Sequence, residues 1–185
     1  MKRLFALLGL SALVLVFAVG CEKRSSSSST ESLELNRETA FVMVKPNAIE
    51  ENHIGAIIQR FEGVELKVAA LKFVQPSKVC IEKFYEEHKG KSFYPEVVAR
   101  FSSNPVVAIV LEGDNAVAKA RKAIGATDPA KADPGTIRAD FGKSIGENAV
   151  HGSDAKASAK REIALFFTPC ELYERFPKVE QEEKQ

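Results

Sequence analysis

The run Ala40-Phe41-Val42-Met43-Val44 is apolar at every position and closes at Lys45-Pro46. A short unbroken run of β-formers predicts a buried strand, ended where Pro46 has no N–H to offer a ladder. Downstream, Ile54, Ile57, Ile58 and Phe61 recur at three- and four-residue steps, which predicts an amphipathic helix over 51–62. Glu65 to Val74 alternates and predicts a second strand. Pro76-Ser77 opens a helix with Val79, Phe84 and Tyr85 as candidate inner positions. Pro105 to Leu111 predicts a third strand and Asn115 to Ile124 a helix. Asn148 to Val150 predicts a last short strand, and Asp154 to about Phe166 the closing helix.

From Gly125 to Gly146 the chain is rich in Gly, Pro, Asp and Thr and lacks a period. It is expected to form a long ordered loop with few core contacts, a class of segment that usually carries function. Phe166-Phe167 through Phe176-Pro177 is expected to pack over the surface, and 178–185 to fray as an acidic tail. The order βαβ(α)βαβα resembles an α+β, ferredoxin-like sandwich, a four-stranded antiparallel sheet covered by helices. No internal repeat is evident.

The N-terminus follows a different pattern. Lys2 and Arg3 precede an apolar run from Leu4 to Val19, ending at Gly20-Cys21. As a helix those 16 residues (19 − 4 + 1) span roughly 24 Å, short of the roughly 30 Å hydrocarbon layer. The segment therefore reads as a signal peptide over 1–20. Ala18-Val19-Gly20-Cys21 resembles a bacterial lipobox in which Cys21 is acylated, with alanine where leucine is usual three before the cysteine. An uncleaved short anchor and a misassigned start on a cytoplasmic protein are the competing readings. Residues 21–38, with the serine run Ser25–Ser29, read as a tether reaching roughly 20–25 Å. The domain proper is expected over 39–177, held beside a membrane without entering it.

Twenty-six basic and 25 acidic side chains leave a formal charge of +1, so no broad field for nucleic acid exists and no specific nucleic-acid partner is expected. Beyond Cys21 only Cys80 and Cys170 remain, at no metal-site spacing. They read as two unpaired, partly buried thiols, although an oxidising compartment allows them to pair.

The chemistry concentrates at Asn148-Ala149-Val150-His151-Gly152-Ser153-Asp154. Imidazole has a large neutral fraction near pH 7 and can attack phosphorus there, whereas lysine is charged and serine needs a base. A helix start beside it offers N–H groups and positive dipole to an anion. His53 and His88 lack such a setting and read as solvated.

These features, with Val44-Lys45-Pro46-Asn47, Ile54-Gly55, Arg60-Phe61-Glu62, Phe84-Tyr85, Leu111-Glu112-Gly113, Gly125-Ala126-Thr127 and Pro134-Gly135-Thr136-Ile137-Arg138, occur in one order and spacing. Over about Thr39 to Phe176 the chain resembles nucleoside diphosphate kinases. The resemblance implies transfer of the γ-phosphate of ATP or another nucleoside triphosphate to a nucleoside diphosphate, by a ping-pong route through a phosphohistidine, with Mg²⁺. It makes His151 the nucleophile, Lys45 the lysine at the transferring phosphate, and Arg121 and Arg138 the guanidiniums on the terminal phosphates. Thr127 would donate to a phosphate oxygen, and Asn148 would serve the ribose hydroxyl and the terminal phosphate.

Tyr85 and Glu162 match the tyrosine and acid beside the histidine. On a helix from Asp154, residues 154, 158 and 162 form one ridge, so Asp154 and Glu162 are expected to share a face. Asp154 is a candidate metal contact through water. Ser153 is expected to cap that helix and to touch the histidine. Phe93 and Ile145 match two walls that stack a base without reading its edges. The family also implies a hexamer or tetramer.

Departures from the family pattern are Ser92 before Phe93, Val97 for leucine, Asp128 for asparagine, and Val64-Glu65 before the second strand. The competing function is a catalytically idle nucleotide-binding lipoprotein or scaffold of the same fold. It would require damage at His151, Lys45 or an arginine, and none is present.

Overall fold

The computed structural model describes residues 37–173. The signal-like segment, Cys21, the serine tether, and the chain from residue 174 onward lie outside the described residues. Strand β1 (Arg37–Val44) starts before the apolar run because Glu38 and Thr39 still pair with β3 (Val106–Asp114), in a register from Arg37 opposite Asp114 to Val44 opposite Val107. On its other edge β1 pairs with β4 (Val150–Gly152), and β2 (Lys67–Val74) pairs with β3. All three pairings are antiparallel and the order is β2-β3-β1-β4, as expected for the ferredoxin-like α+β class.

Period-two alternation sends the two halves of the apolar run to opposite faces. Ala40, Val42 and Val44 enter one core with Ile57 and Phe61 of α2 (Ile54–Glu62) and Ile124 of α5 (Ala116–Ile124). Phe41 and Met43 enter a second core with Ile81 and Phe84 of α3 (Lys78–Phe84), Phe101 of α4 (Tyr94–Ser103) and Phe166 of α7 (Lys156–Phe166). A sheet covered on both faces has no polar side, which is why β1 reads as continuous apolar sequence.

Several boundaries differ from expectation. Pro46 ends β1 and also opens a short helix, α1 (Pro46–Glu50), since a missing N–H costs nothing at a first helical position. Asn52, at φ 63°, interrupts the chain before α2. Ser77 caps α3, its Oγ accepting the Cys80 N–H at 3.2 Å. Val79 is 60% exposed rather than inner, because it stands two residues, about 200°, from Ile81. Helix α4 was not expected at all. The segment 125–146 is more ordered than expected, with a 3₁₀ turn at Pro129–Lys131 and helix α6 (Ile137–Phe141). It also reaches the core, since Ile137 and Arg138 are buried.

The last strand lies two residues later than expected. Ala149 has φ 64° and the Val150 N–H bonds Asn148 O at 2.7 Å, a three-residue turn that keeps 148–149 out of β4. Beyond α7, Phe167 is buried and the Tyr173 N–H bonds Ala69 O at 3.0 Å. Cys80 and Cys170 are both free, and Cys170 is exposed rather than partly buried.

Gly152 lets β4 approach α5: a Cβ there would sit 2.4 Å from Cδ1 of Ile124, which is fully buried. Gly152→Ala should therefore overpack this seam and lower stability by about 1–3 kcal/mol in urea unfolding. Unchanged stability would mean that the Ile124 side chain gives way at no cost.

Candidate active site

His151 lies in β4 opposite Met43 and shares the second face of the sheet with it. The Phe84 ring meets the imidazole edge-on, with centroids 4.8 Å apart, and Phe41 lies at 6.3 Å. Glu162, buried on α7, places Oε2 3.1 Å from His151 Nε2. The same oxygen accepts the Ser153 hydroxyl at 2.6 Å, while Ser153 Oγ accepts the Phe41 N–H at 3.2 Å. A carboxylate oxygen held as an acceptor assigns the ring hydrogen to Nε2. The lone pair is then on Nδ1.

Four basic side chains line the cleft with His151: Lys45, Arg100, Arg121 and Arg138. Lys45, at the end of β1, donates to Asn148 Oδ1 at 2.6 Å. Asn148 Nδ2 donates to Thr127 O at 2.9 Å, so that amide is held at both ends. Arg138, buried on α6, donates to Gly125 O at 3.2 Å and Val150 O at 3.1 Å, with Thr127 Oγ1 at 3.5 Å. Its Nε is buried and has no hydrogen-bond partner among the described residues. Arg121, exposed in the last turn of α5, lies 3.5 Å from Gly152 O. These bonds of Lys45 and Arg138 go to neutral oxygens, so their charge is not cancelled by them.

The electrostatic consequence is large. Burial, then repulsion from Arg138 and Arg100, brings the Lys45 ammonium down to about 7. Burial, then repulsion from Arg121, brings Arg138 down to about 10. Burial, followed by the charge of Glu162, pushes the Tyr85 phenol well above its ordinary range, so it stays neutral. An anion entering among these groups would relieve the repulsion.

The cleft, of about 520 Å³, is also lined by Tyr85, Phe93, Thr127, Ile145 and Asp154. Phe93 and Ile145 are 44% and 61% exposed at its mouth. All the site residues singled out from the sequence within the described span therefore belong to this cleft or, in the case of Ser153, to the hydrogen bonds behind it.

Two details are corrected. Ser153 does not cap α7: the N-cap is Ala155, and the Ser153 hydroxyl is taken by Phe41 and Glu162. It reaches the ring through Glu162. Asp154 precedes α7 instead of lying on it, so of the ridge 154–158–162 only the Ser158–Asp154 bond, 2.6 Å, forms. Asp154 is exposed and Glu162 is buried, and the Ser158 hydroxyl holds the Asp154 carboxyl below its usual range.

The two other histidines are not simply solvated. His88 lines the cleft and contacts Phe93, and His53 packs against Phe141 in a tilted arrangement with Glu51 at 3.5 Å. Sequence reasoning also missed Arg100, which lines the cleft and pairs with Glu147. Partners 47 residues apart leave no local pattern. Among the described residues no three His, Cys, Asp or Glu side chains gather into a metal cage.

A family model described as nucleoside diphosphate kinase matches residues 38–172. The nucleoside diphosphate kinase of Campylobacter hominis is 54% identical over 130 residues, covering 70% of this chain and 95% of that protein. That of Pelotomaculum thermopropionicum is 50% identical over 137 residues, covering 74% and 92%. Among solved structures, a halophilic nucleoside diphosphate kinase from Halobacterium salinarum in complex with CDP superposes with a TM-score of 0.73 at 40% identity, over 76% of this chain and 94% of that one. The Aquifex aeolicus nucleoside diphosphate kinase gives 0.71 at 39% identity, over 74% and 99%.

The lowered Lys45 value carries a sign that stability measurements read. Between about pH 7 and the ordinary lysine range the unfolded chain binds this proton and the folded chain does not, so stability rises with pH across that window. Lys45→Met should remove roughly 1–2 kcal/mol of the gain seen between pH 6.5 and 9.5 in urea unfolding. Equal slopes for parent and variant would contradict the buried, repelled ammonium.

Proposed function

The chain belongs to the nucleoside diphosphate kinase family, and from that premise we propose how its cleft carries the family's reaction. The activity is transfer of a phosphoryl group from a nucleoside triphosphate to a nucleoside diphosphate. In this reading the Nδ1 lone pair of His151 attacks the γ-phosphorus, the bond to the bridging oxygen breaks, and the first diphosphate leaves. A second diphosphate then takes the phosphoryl group back from phospho-His151. The observation that carries the reading is the Glu162–Nε2 bond, which leaves Nδ1 as the ring's nucleophile in a cation-lined cleft.

Glu162, fixed by Ser153, orients the ring and stabilises the positive charge that develops on it. Lys45, Arg121 and Arg138, which all line the cleft, neutralise the triphosphate. Thr127 donates its hydroxyl to a phosphate, the neutral Tyr85 phenol serves as a donor near the ring, and Asn148 with Lys45 serves the ribose and terminal phosphate. Phe93 and Ile145 grip the base by contact alone, which predicts weak discrimination among bases. The CDP bound to the Halobacterium relative supports a nucleoside diphosphate as ligand.

The exposed carboxylate of Asp154, at the edge of the cleft, suits a Mg²⁺ that arrives on the nucleotide's own phosphate oxygens. Bound there, Mg²⁺ would supply charge neutralisation of the phosphates, with Asp154 reaching it through water.

Exposed Leu71 and Phe73 on the outer strand β2 support self-association, and we place the assembly at four or six subunits on the family's pattern. The N-terminal pattern supports a lipid tether at Cys21 that holds the enzyme at a membrane. The alternative is a cytoplasmic protein with a misassigned start.

With γ-labelled ATP, the parent should acquire acid-labile label that chases onto any added diphosphate, and His151→Ala should acquire none. Retained label in that variant would remove His151 as the nucleophile. Cells fed a palmitate analogue should label the full chain but not Cys21→Ala. Equal labelling of both would remove the lipid tether.

A further inference from the structure

The ion pair of Arg100 with Glu147 has no part in the phosphoryl transfer described above. Arg100 lies in α4, the helix whose N-cap is Phe93. Glu147 lies two residues beyond Ile145 and directly before Asn148. The pair therefore joins the element carrying one apolar wall of the cleft to the loop carrying the other: Arg100 Nη2 donates to Glu147 Oε1.

Glu147 is rigidly seated on its own side. Its N–H donates to Ser144 O at 3.1 Å and Ser144 Oγ at 3.2 Å, and its carbonyl accepts from the Lys143 N–H at 2.9 Å and Asn47 Nδ2 at 3.4 Å. Arg100 is seated in the middle of α4, between buried Val98 and Phe101.

We propose that Arg100 and Glu147 form a positioning pair that sets the spacing between Phe93 and Ile145, and thereby how tightly the cleft grips a base. The inference rests on the nucleotide reading of the cleft given above. Contact stacking depends steeply on spacing, since a gap of about 0.5–1 Å already forfeits a quarter to a half of the dispersion well. The side chains are 31% and 40% exposed, so the pair adds little to global stability. Its effect falls on the geometry of the two elements it joins. The rival role for Arg100 is a further phosphate cation, because it stands close enough to Lys45 to disfavour that ammonium's charge.

Two probes separate the roles: ADP, which has a base, and inorganic tripolyphosphate, which has none. Calorimetric titration of each into the parent, Arg100→Gln, Glu147→Gln, Arg100→Lys and the charge swap Arg100→Glu with Glu147→Arg gives the comparison. The ratio of ADP affinity to tripolyphosphate affinity should fall about two- to fivefold in each Gln variant. It should recover in Arg100→Lys and in the swap.

A ratio unchanged in both Gln variants overturns the proposal. So does an equal loss for both ligands in Arg100→Gln, which would assign Arg100 to the phosphates. If Arg100→Gln does not fold, Glu147→Gln and the swap still decide. A parent that binds neither probe would overturn the underlying nucleotide reading, whereas a binding parent with indifferent variants overturns only the pair.

Discussion

The site depends on a single buried carboxylate oxygen. Glu162 Oε2 accepts both the Ser153 hydroxyl and the His151 Nε2–H, and Phe84 closes one side of the ring. An imidazole has two nitrogens and, when neutral, one hydrogen, so tying that hydrogen down on one side determines which nitrogen can act as a nucleophile. The oxygen is well placed because α7 packs across β1 and brings Glu162 under β4. Fold and chemistry meet at that oxygen.

The second constraint is an electrostatic cost built into the cleft. Lys45 and Arg138 are drawn from water with no carboxylate of the described residues hydrogen-bonded to either, and both are displaced toward their neutral forms. Such an arrangement is poor for stability and good for binding, since the strain is released only when a polyanion enters. Phosphoryl transfer needs little covalent help from a protein and much positioned positive charge. The cleft supplies that charge from three different elements: the end of β1, α5 and α6.

Much of this was legible in the sequence because it follows local rules. The buried strands announced themselves as apolar runs, α5 by its periodicity, and the nucleophile by its motif. What escaped was either short or long-range. Helix α1 has five residues, too few for a period, and α4 shows only Val97, Val98 and Phe101 as apolar positions beside an aromatic cluster. Arg100 and Glu147 meet across 47 residues. Ser153 misled because a serine before a helix looks locally like a cap, and only tertiary packing reveals that Phe41 and Glu162 take its hydroxyl. The signal-like segment and the proposed lipid site at Cys21 lie outside the described residues, so the proposal for the chain's location rests on sequence alone.

The turn at Ala149 has a consequence for how one short peptide serves two purposes. In a regular strand, residues three apart point to opposite faces, and Asn148 and His151 would be separated by the sheet. One residue at φ 64°, at a cost of roughly 1–3 kcal/mol, shifts the parity of everything before it. Asn148 and His151 then open onto the same cavity, so an amide and an imidazole face one cleft from within four consecutive positions. Insertion or deletion of a single residue between them would restore the wrong parity, which makes the length of this peptide as constraining as its composition.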